Sequence, residues 1–232
     1  MNLEIRDFWQ SYEGFTLGPL TLKLSEPVIG LIGVNGAGKT TFLTALSGIS
    51  QTAQGHIYMN GVELRGVQRL ASFAFLQHRR IWYDGLTLRT HLRFVRAFYR
   101  TWSDETARKL TEHFDLDLDK RVRVASTGTL AKLGLLVALA RGASVVLLDE
   151  PWNDLDPPSR IELSRFIIKT RSESGPLFIV SSHDLSEIEA VCDRFIMLEN
   201  GRIISDDTRD KVLTREATVP QLTSKFIKDG HV

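Results

Sequence analysis

The 232-residue sequence predicts an α/β fold with a mostly parallel core sheet, an antiparallel β subdomain and an inserted helical subdomain. Three observations predict it. The apolar run Val28-Ile29-Gly30-Leu31-Ile32 passes into Gly33-Val34-Asn35-Gly36-Ala37-Gly38-Lys39-Thr40-Thr41 and then into a helix-like stretch, 42–47. Strand, glycine-rich loop and helix in that order form the setting of a phosphate-binding loop. Beyond residue 129, apolar runs alternate with helical patterns, as in a parallel sheet covered by helices. From 78 to 125 strand patterns give way to helical periodicity. The chain therefore reads as one domain, 1–232. Its core and β subdomain occupy 1–77 and 126–205, a helical subdomain 78–125 and a C-terminal tail 206–232.

The elements follow in order. Turn signals at Glu13-Gly14 and Gly18-Pro19 accompany two short antiparallel strands near 2–8 and 19–25. The helix after the glycine-rich loop is expected to end near Gly48. Residues 55–61 form a short strand closed by the turn pair Asn60-Gly61. Residues 71–77 read as a buried strand ending in the polar Gln77.

In 87–100, Leu88, Leu92, Val95 and Tyr99 share one helical face, and Arg89, Arg93, Arg96 and Arg100 another. Ser103 before Asp104 and Glu105 has the form of a helix cap with an acidic first turn, continued by Ala107, Leu110 and Phe114. A helix at 129–141 precedes strand 145–148, a helix at 158–172 precedes strand 177–180, and a short helix from Leu185 precedes strand 195–198. Asn200-Gly201 turns the chain into a hairpin partner at 202–205, and the tail from Asp206 is polar with short helical stretches.

Composition narrows the function. Hydrophobic residues make up 43% and charged residues 25%, as in an ordinary soluble globular protein. No apolar run approaches the roughly 18 residues of a membrane span, and the N-terminus lacks a signal-peptide pattern. A net charge of +1 gives no reason to expect a nucleic-acid partner. The single cysteine, Cys192, excludes an internal disulfide, suits a reducing cytoplasm and reads as a small buried hydrophobe.

The glycine-rich loop carries the first chemistry. Glycines let backbone N–H groups approach phosphate oxygens, and the following helix directs its positive dipole end at them. Asn35, Gly36, Ala37, Gly38, Lys39, Thr40 and Thr41 form this cradle. Lys39 reaches the β- and γ-phosphates, and Thr40 offers a hydroxyl to Mg²⁺. The strand Val145-Val146-Leu147-Leu148 ends in two carboxylates: Asp149 to hold Mg²⁺, directly or through water, and Glu150 to polarise the attacking water.

The order of motifs resembles the ATP-binding subunit of ABC (ATP-binding cassette) transporters, a P-loop NTPase cassette, over residues 3–213. Gln77 stands where that family has its Q-loop glutamine, Pro151-Trp152-Asn153-Asp154-Leu155-Asp156 its D-loop, and Ser181-Ser182-His183-Asp184 its switch histidine. The resemblance implies ATP and Mg²⁺ as cofactors, with Glu150, His183, Lys39 and Gln77 catalytic and Thr40, Gln77 and Asp149 at the metal. Tyr12 occupies the place of the adenine-stacking aromatic, with Phe8 and Phe15 as neighbours and a core aromatic as the alternative. The family signature Leu-Ser-Gly-Gly-Gln corresponds to Ala125-Ser126-Thr127-Gly128-Thr129, keeping Ser126 and Gly128 but replacing the first glycine and the glutamine.

The family pairs two cassettes head to tail, so Ser126 and Gly128 are expected to act in trans on a second cassette's ATP. The implied partners are that second cassette, identical or not, and transmembrane permease subunits. The implied location is cytoplasmic, peripheral on the inner face of the cell membrane. Arg79, Arg80, Ile81, Trp82 and Tyr83 read equally as a permease interface or as a loop anchored by aromatics. The arginine face at 89–100 reads first as solvated, and otherwise as meeting anionic lipid or acidic partner loops. Chain length, helical block and altered signature are most like those of ABC-2-type exporters of peptides, antibiotics, lipids or polysaccharides. The alternative is a soluble ATPase of the same superfamily serving an assembly process such as iron–sulfur cluster assembly.

Overall fold

The computed structural model describes residues 1–50, 52–77, 82–153, 155–172 and 175–214. In chain order the elements are β1 (Leu3–Tyr12), β2 (Phe15–Leu24), β3 (Val28–Ile32), α1 (Lys39–Ser47), β4 (Gln54–Met59), β5 (Val62–Glu63), α2 (Gly66–Ser72) and β6 (Phe73–Leu76). Then come α3 (Leu88–Arg96), α4 (Asp104–His113), α5 (Thr127–Ala140), β7 (Val145–Asp149), α6 (Pro157–Ser172), β8 (Leu177–Ser182), α7 (Leu185–Ile188), β9 (Arg194–Glu199), β10 (Arg202–Thr208) and α8 (Arg209–Thr214).

The strands form two sheets. One is antiparallel in the order β2-β1-β4-β5; the other runs β10-β9-β3-β8-β7-β6. In the larger sheet β3 pairs in parallel with β8 and β9, and β7 in parallel with β6 and β8. Only β10 runs against its neighbour there.

The central strands are apolar throughout because both their faces are covered. Successive residues of β7 enter different cores. Val146 and Leu148 pack with α5 and α6 residues such as Leu133, Leu136, Leu163 and Ile167. Val145 and Leu147 pack with Phe42, Leu43 and Leu46 of α1 and with Leu3, Ile5 and Phe8 of β1. Leu88, Leu92, Leu110 and Phe114 of the helical block join the first of these cores, so the block is packed onto the sheet. Gly30 in β3 has no room for a side chain: a Cβ there would lie 2.8 Å from Ile188 Cδ1 and 3.1 Å from Cys192 Sγ. Cys192 is fully buried, and burial pushes its thiol well above the usual range, as a structural cysteine requires.

The structure departs from the sequence reading at several element ends. The first two strands are ten residues each and reach the Glu13-Gly14 turn. Register shifts between Ile5 and Phe8 and between Phe8 and Gln10 break the alternation that would have marked β1. Ala71 and Ser72 close helix α2, and β6 begins at Phe73. No residue of α2 is buried, so it carries no apolar stripe to announce it. α3 ends at Arg96, leaving Tyr99 and Arg100 in turns beyond the helix. β10 continues to Thr208, past the expected start of the tail at Asp206. The tail beyond Thr214 lies outside the described residues.

Candidate functional site

The C-terminal ends of β3, β7 and β8 lie side by side, the usual binding edge of a parallel sheet. Above them is a cavity of about 700 Å³ lined by Tyr12, Phe15, Val34, Asn35, Gly36, Gly38, Lys39, Thr40, Thr41, Asp149, Glu150, Asn153 and His183. The loop that forms its floor is shaped by glycine. Gly38 has φ 107° and caps α1, and a Cβ there would sit 2.8 Å from the Phe15 ring. α1 thus starts at Lys39 with the N–H groups of its first turn free of intrahelical acceptors and facing the cavity.

The polar side chains form one connected set. Lys39 is buried; its Nζ donates to Gly33 O at 2.6 Å and lies 3.1 Å from Glu150 Oε1. Glu150 Oε1 has no aligned hydrogen bond, so Lys39 and Glu150 meet through charge. Glu150 Oε2 pairs with His183 Nδ1 at 2.9 Å. The Thr40 hydroxyl donates to Asp149 Oδ2 and the Ser181 hydroxyl to Asp149 Oδ1, both at 2.8 Å. Ser181 Oγ also accepts from the Glu150 N–H at 2.9 Å, tying the two carboxylate residues to β8. Glu150 has φ 46°, a left-handed backbone that turns its carboxylate away from the strand direction of Asp149.

The donor set fits Mg²⁺. Thr40 and Asp149 present hard oxygens side by side, leaving the other octahedral positions to phosphate and water. Among the described residues no cluster of three or more His, Cys, Asp or Glu could hold a metal by itself.

Lys39, Thr40, Asp149, Glu150 and His183 therefore meet, with Tyr12, Asn35, Gly36, Gly38 and Thr41 around them. Ala37 is buried beneath the loop, where its N–H donates to Val34 O and its carbonyl accepts from Gly201 N–H. Gln77 is exposed after β6 and is not among the lining residues, so a place for it at the metal is not formed here.

Ser126 and Gly128 lie at the start of α5, outside this cavity. Ser126 caps that helix, accepting from Thr129 N–H at 3.1 Å and meeting Thr129 Oγ1 at 2.9 Å. A Cβ on Gly128 would lie 2.7 Å from Ser159 Oγ. Asp154 lies outside the described residues; Trp152 anchors that segment, buried and donating to Ser164 Oγ. Asp156 caps α6, and the Ser159 hydroxyl bonded to it holds its carboxyl below the usual range.

Phe15, Val34 and Asn153 were not assigned to the site from sequence. Phe15 could have been: a two-residue Glu13-Gly14 turn makes Tyr12 and Phe15 a facing pair, as their register shows.

Arg79, Arg80 and Ile81 lie outside the described residues, but Trp82 and Tyr83 begin an aromatic run. His91 lies 4.9 Å from Trp82 and 5.9 Å from Tyr83 between ring centres, and burial lowers its pKa. Tyr83, Phe94 and Phe98 continue the run and are exposed. Among the described residues, two of the four arginines on the arginine face are ion-paired, Arg89 with Asp119 and Arg96 with Asp104.

A parallel sheet with a phosphate-binding loop after β3 and a carboxylate-ended β7 defines a P-loop NTPase cassette. The sequence profile of the family described as ABC transporter matches residues 18–153. An uncharacterized ABC transporter ATP-binding protein of Synechocystis is 30% identical over 214 residues, 89% of this chain and 60% of that protein. Another such protein, YthP of Bacillus subtilis, is 33% identical over 188 residues, 78% of this chain and 75% of that protein. A solved structure titled as the ATP binding subunit of an ABC transporter superposes with a TM-score of 0.80 at 27% identity, covering 94% of each chain. The chain belongs to the ABC transporter family of ATP-binding proteins. It spans 60% of the length of the Synechocystis relative. Among the described residues no helix is long and apolar enough to cross a membrane.

Proposed function

We propose that this chain binds and hydrolyses ATP as the energising subunit of a membrane exporter of the ABC-2 type. The observation that carries the reading is the convergence of Lys39, Thr40, Asp149, Glu150 and His183 in one cavity while Ser126 and Gly128 stand apart on α5. The phosphates rest on the loop N–H groups and Lys39, and the base stacks on Tyr12. Thr40 and Asp149 would hold Mg²⁺, which when bound would neutralise phosphate charge. Glu150 orients and deprotonates the water that attacks the γ-phosphorus; the bond to the β–γ bridging oxygen breaks, leaving ADP and phosphate. His183, already bonded to Glu150, orients the carboxylate and faces the γ-phosphate.

Ser126 and the α5 N-terminus close the γ-phosphate of a second cassette, so ATP binding joins the pair and hydrolysis parts it. The exposed aromatics from Tyr83 to Phe98 give a permease a surface of the composition interfaces favour, on the cytoplasmic side of the membrane. The changed residues Thr127 and Thr129, with the compact helical block, support the export class; its cargo is a peptide, antibiotic, lipid or polysaccharide.

The test is co-expression with the membrane proteins encoded beside it, followed by detergent extraction. The chain is expected to co-purify with a multi-span protein that stimulates its ATPase activity. Recovery only as a free soluble protein, or with soluble assembly factors, would remove the transport reading.

A further inference from the structure

We infer that Gln10 is a positioning residue for the nucleotide base: its buried amide fixes the ring of Tyr12 and links it to the segment that follows the phosphate-binding helix. The inference rests on the reading that the cavity takes a nucleotide with its base against Tyr12. Gln10 is fully buried in β1, two residues before Tyr12 and therefore on the same face of the strand. The inward row of that strand is otherwise apolar, with Leu3, Ile5 and Phe8, and Gln10 pairs across the sheet with Leu17. A leucine would satisfy packing there. A glutamine at such a position needs polar partners, because burying an amide without them costs stability.

Its partners are all hydroxyls. The amide nitrogen is 2.7 Å from Tyr12 OH, 2.5 Å from Ser50 Oγ and 2.8 Å from Thr52 Oγ1. The amide nitrogen carries two hydrogens and so donates to two of the three hydroxyls at a time; the amide oxygen, turned toward them instead, accepts from the same hydroxyls. The other end of the amide has no partner among the described residues, which leaves the hydroxyl set as the reason for the polar side chain.

The consequence falls on Tyr12. Its ring is half exposed at the wall of the cavity, where a free tyrosine would exchange between rotamers. With the hydroxyl bonded to Gln10 the ring keeps one plane, so the base meets a prepared surface and less ordering cost falls on binding. Ser50 and Thr52 follow the C-terminal end of α1, the helix whose first turn carries Lys39 and Thr40. One side chain thus joins the base platform to the segment that follows the helix beneath the phosphates.

The experiment compares ADP with pyrophosphate, which has no base, by calorimetric titration of the full chain. Tyr12→Phe keeps the ring and removes the hydroxyl; Gln10→Leu keeps the volume and removes the amide. Each is expected to weaken ADP binding on the order of fivefold, the worth of one hydrogen bond, with pyrophosphate unchanged. The double variant is expected to bind no more weakly than Gln10→Leu, because both remove the same link. Unchanged ADP affinity in Tyr12→Phe, or equal loss of ADP and pyrophosphate in Gln10→Leu, would overturn the inference. Should Gln10→Leu fail to fold, Tyr12→Phe decides alone. Tyr12→Ala separates the two levels. If it leaves ADP binding intact, base stacking on Tyr12 falls and the clamp with it. If it alone weakens ADP, only the clamp falls.

Discussion

At the scale of single residues, Lys39 is closely constrained in the site. Its ammonium is buried between Gly33 O, Val34 O and Glu150, so the carboxylate that would drive hydrolysis also neutralises the cation that would hold the phosphates. Phosphate oxygens arriving at Lys39 would compete with Glu150 and free its Oε1 toward water, while Oε2 stays with His183. Lys39→Ala is therefore expected to lower affinity for a fluorescent ATP analogue at least about tenfold, in keeping with loss of a charged hydrogen bond of roughly 1.5–3 kcal/mol. Titration checks it, and an affinity within twofold of the parent would count against the placement of the phosphates.

These residues were legible in the sequence because the chemistry fixes both their types and their spacing. Gln10 was not. It sits in an apolar row, and its partners Ser50 and Thr52 come from a loop some forty positions away, which no local pattern records. Gln77 is a different case. Its place after a strand was read correctly, but its side chain faces solvent in this structure.

Among the elements, those that bury a continuous apolar run or carry a cap were readable. α4 is the clearest case. The Ser103 side chain accepts from Thr106 N–H at 3.1 Å, and Asp104 and Glu105 fill the first turn. Ser103→Ala is expected to cost about 1 kcal/mol, the usual worth of an N-cap. Urea denaturation of the parent and variant measures it. A midpoint shift with an unchanged slope would mark a pure loss of stability. The same cap geometry at Ser126 has a second use in the proposed pairing, so structure and function compete for one hydroxyl there. α2 was invisible because none of its residues is buried; Arg69 instead reaches back to the carbonyls of Ala45 and Leu46 at the end of α1. Such a helix, with no side-chain cap, is specified by contacts across the chain, and hydrophobic periodicity has nothing to report about it.

For the whole molecule, the decisive feature of the proposed reading is that this chain would hold both parts of a nucleotide site without bringing them together. The loop and carboxylates line one cavity, while Ser126 at the α5 N-terminus is exposed elsewhere. A helix start that offers a hydroxyl and free N–H groups at the surface is complementary to an anion, and a bound γ-phosphate on a second cassette is the anion that the proposed pairing supplies. Pairing should then depend on ATP and end with its hydrolysis. Glu150→Gln removes the base while keeping the shape of the side chain, so this variant is expected to bind ATP, stop turnover and accumulate as the closed pair. Analytical ultracentrifugation of Glu150→Gln should show a two-chain species with ATP that is lost with ADP. The partner in that species is a second copy or the cassette encoded beside it. Adding Ser126→Arg, which places bulk and a cation at the exposed cap, should return the chain to a single-chain species while leaving the loop of the same chain able to bind nucleotide. Hydrolysis by Glu150→Gln at the parent rate would remove the role given to that carboxylate. An ATP-bound variant that pairs with neither its own copy nor its neighbour would remove the role given to Ser126.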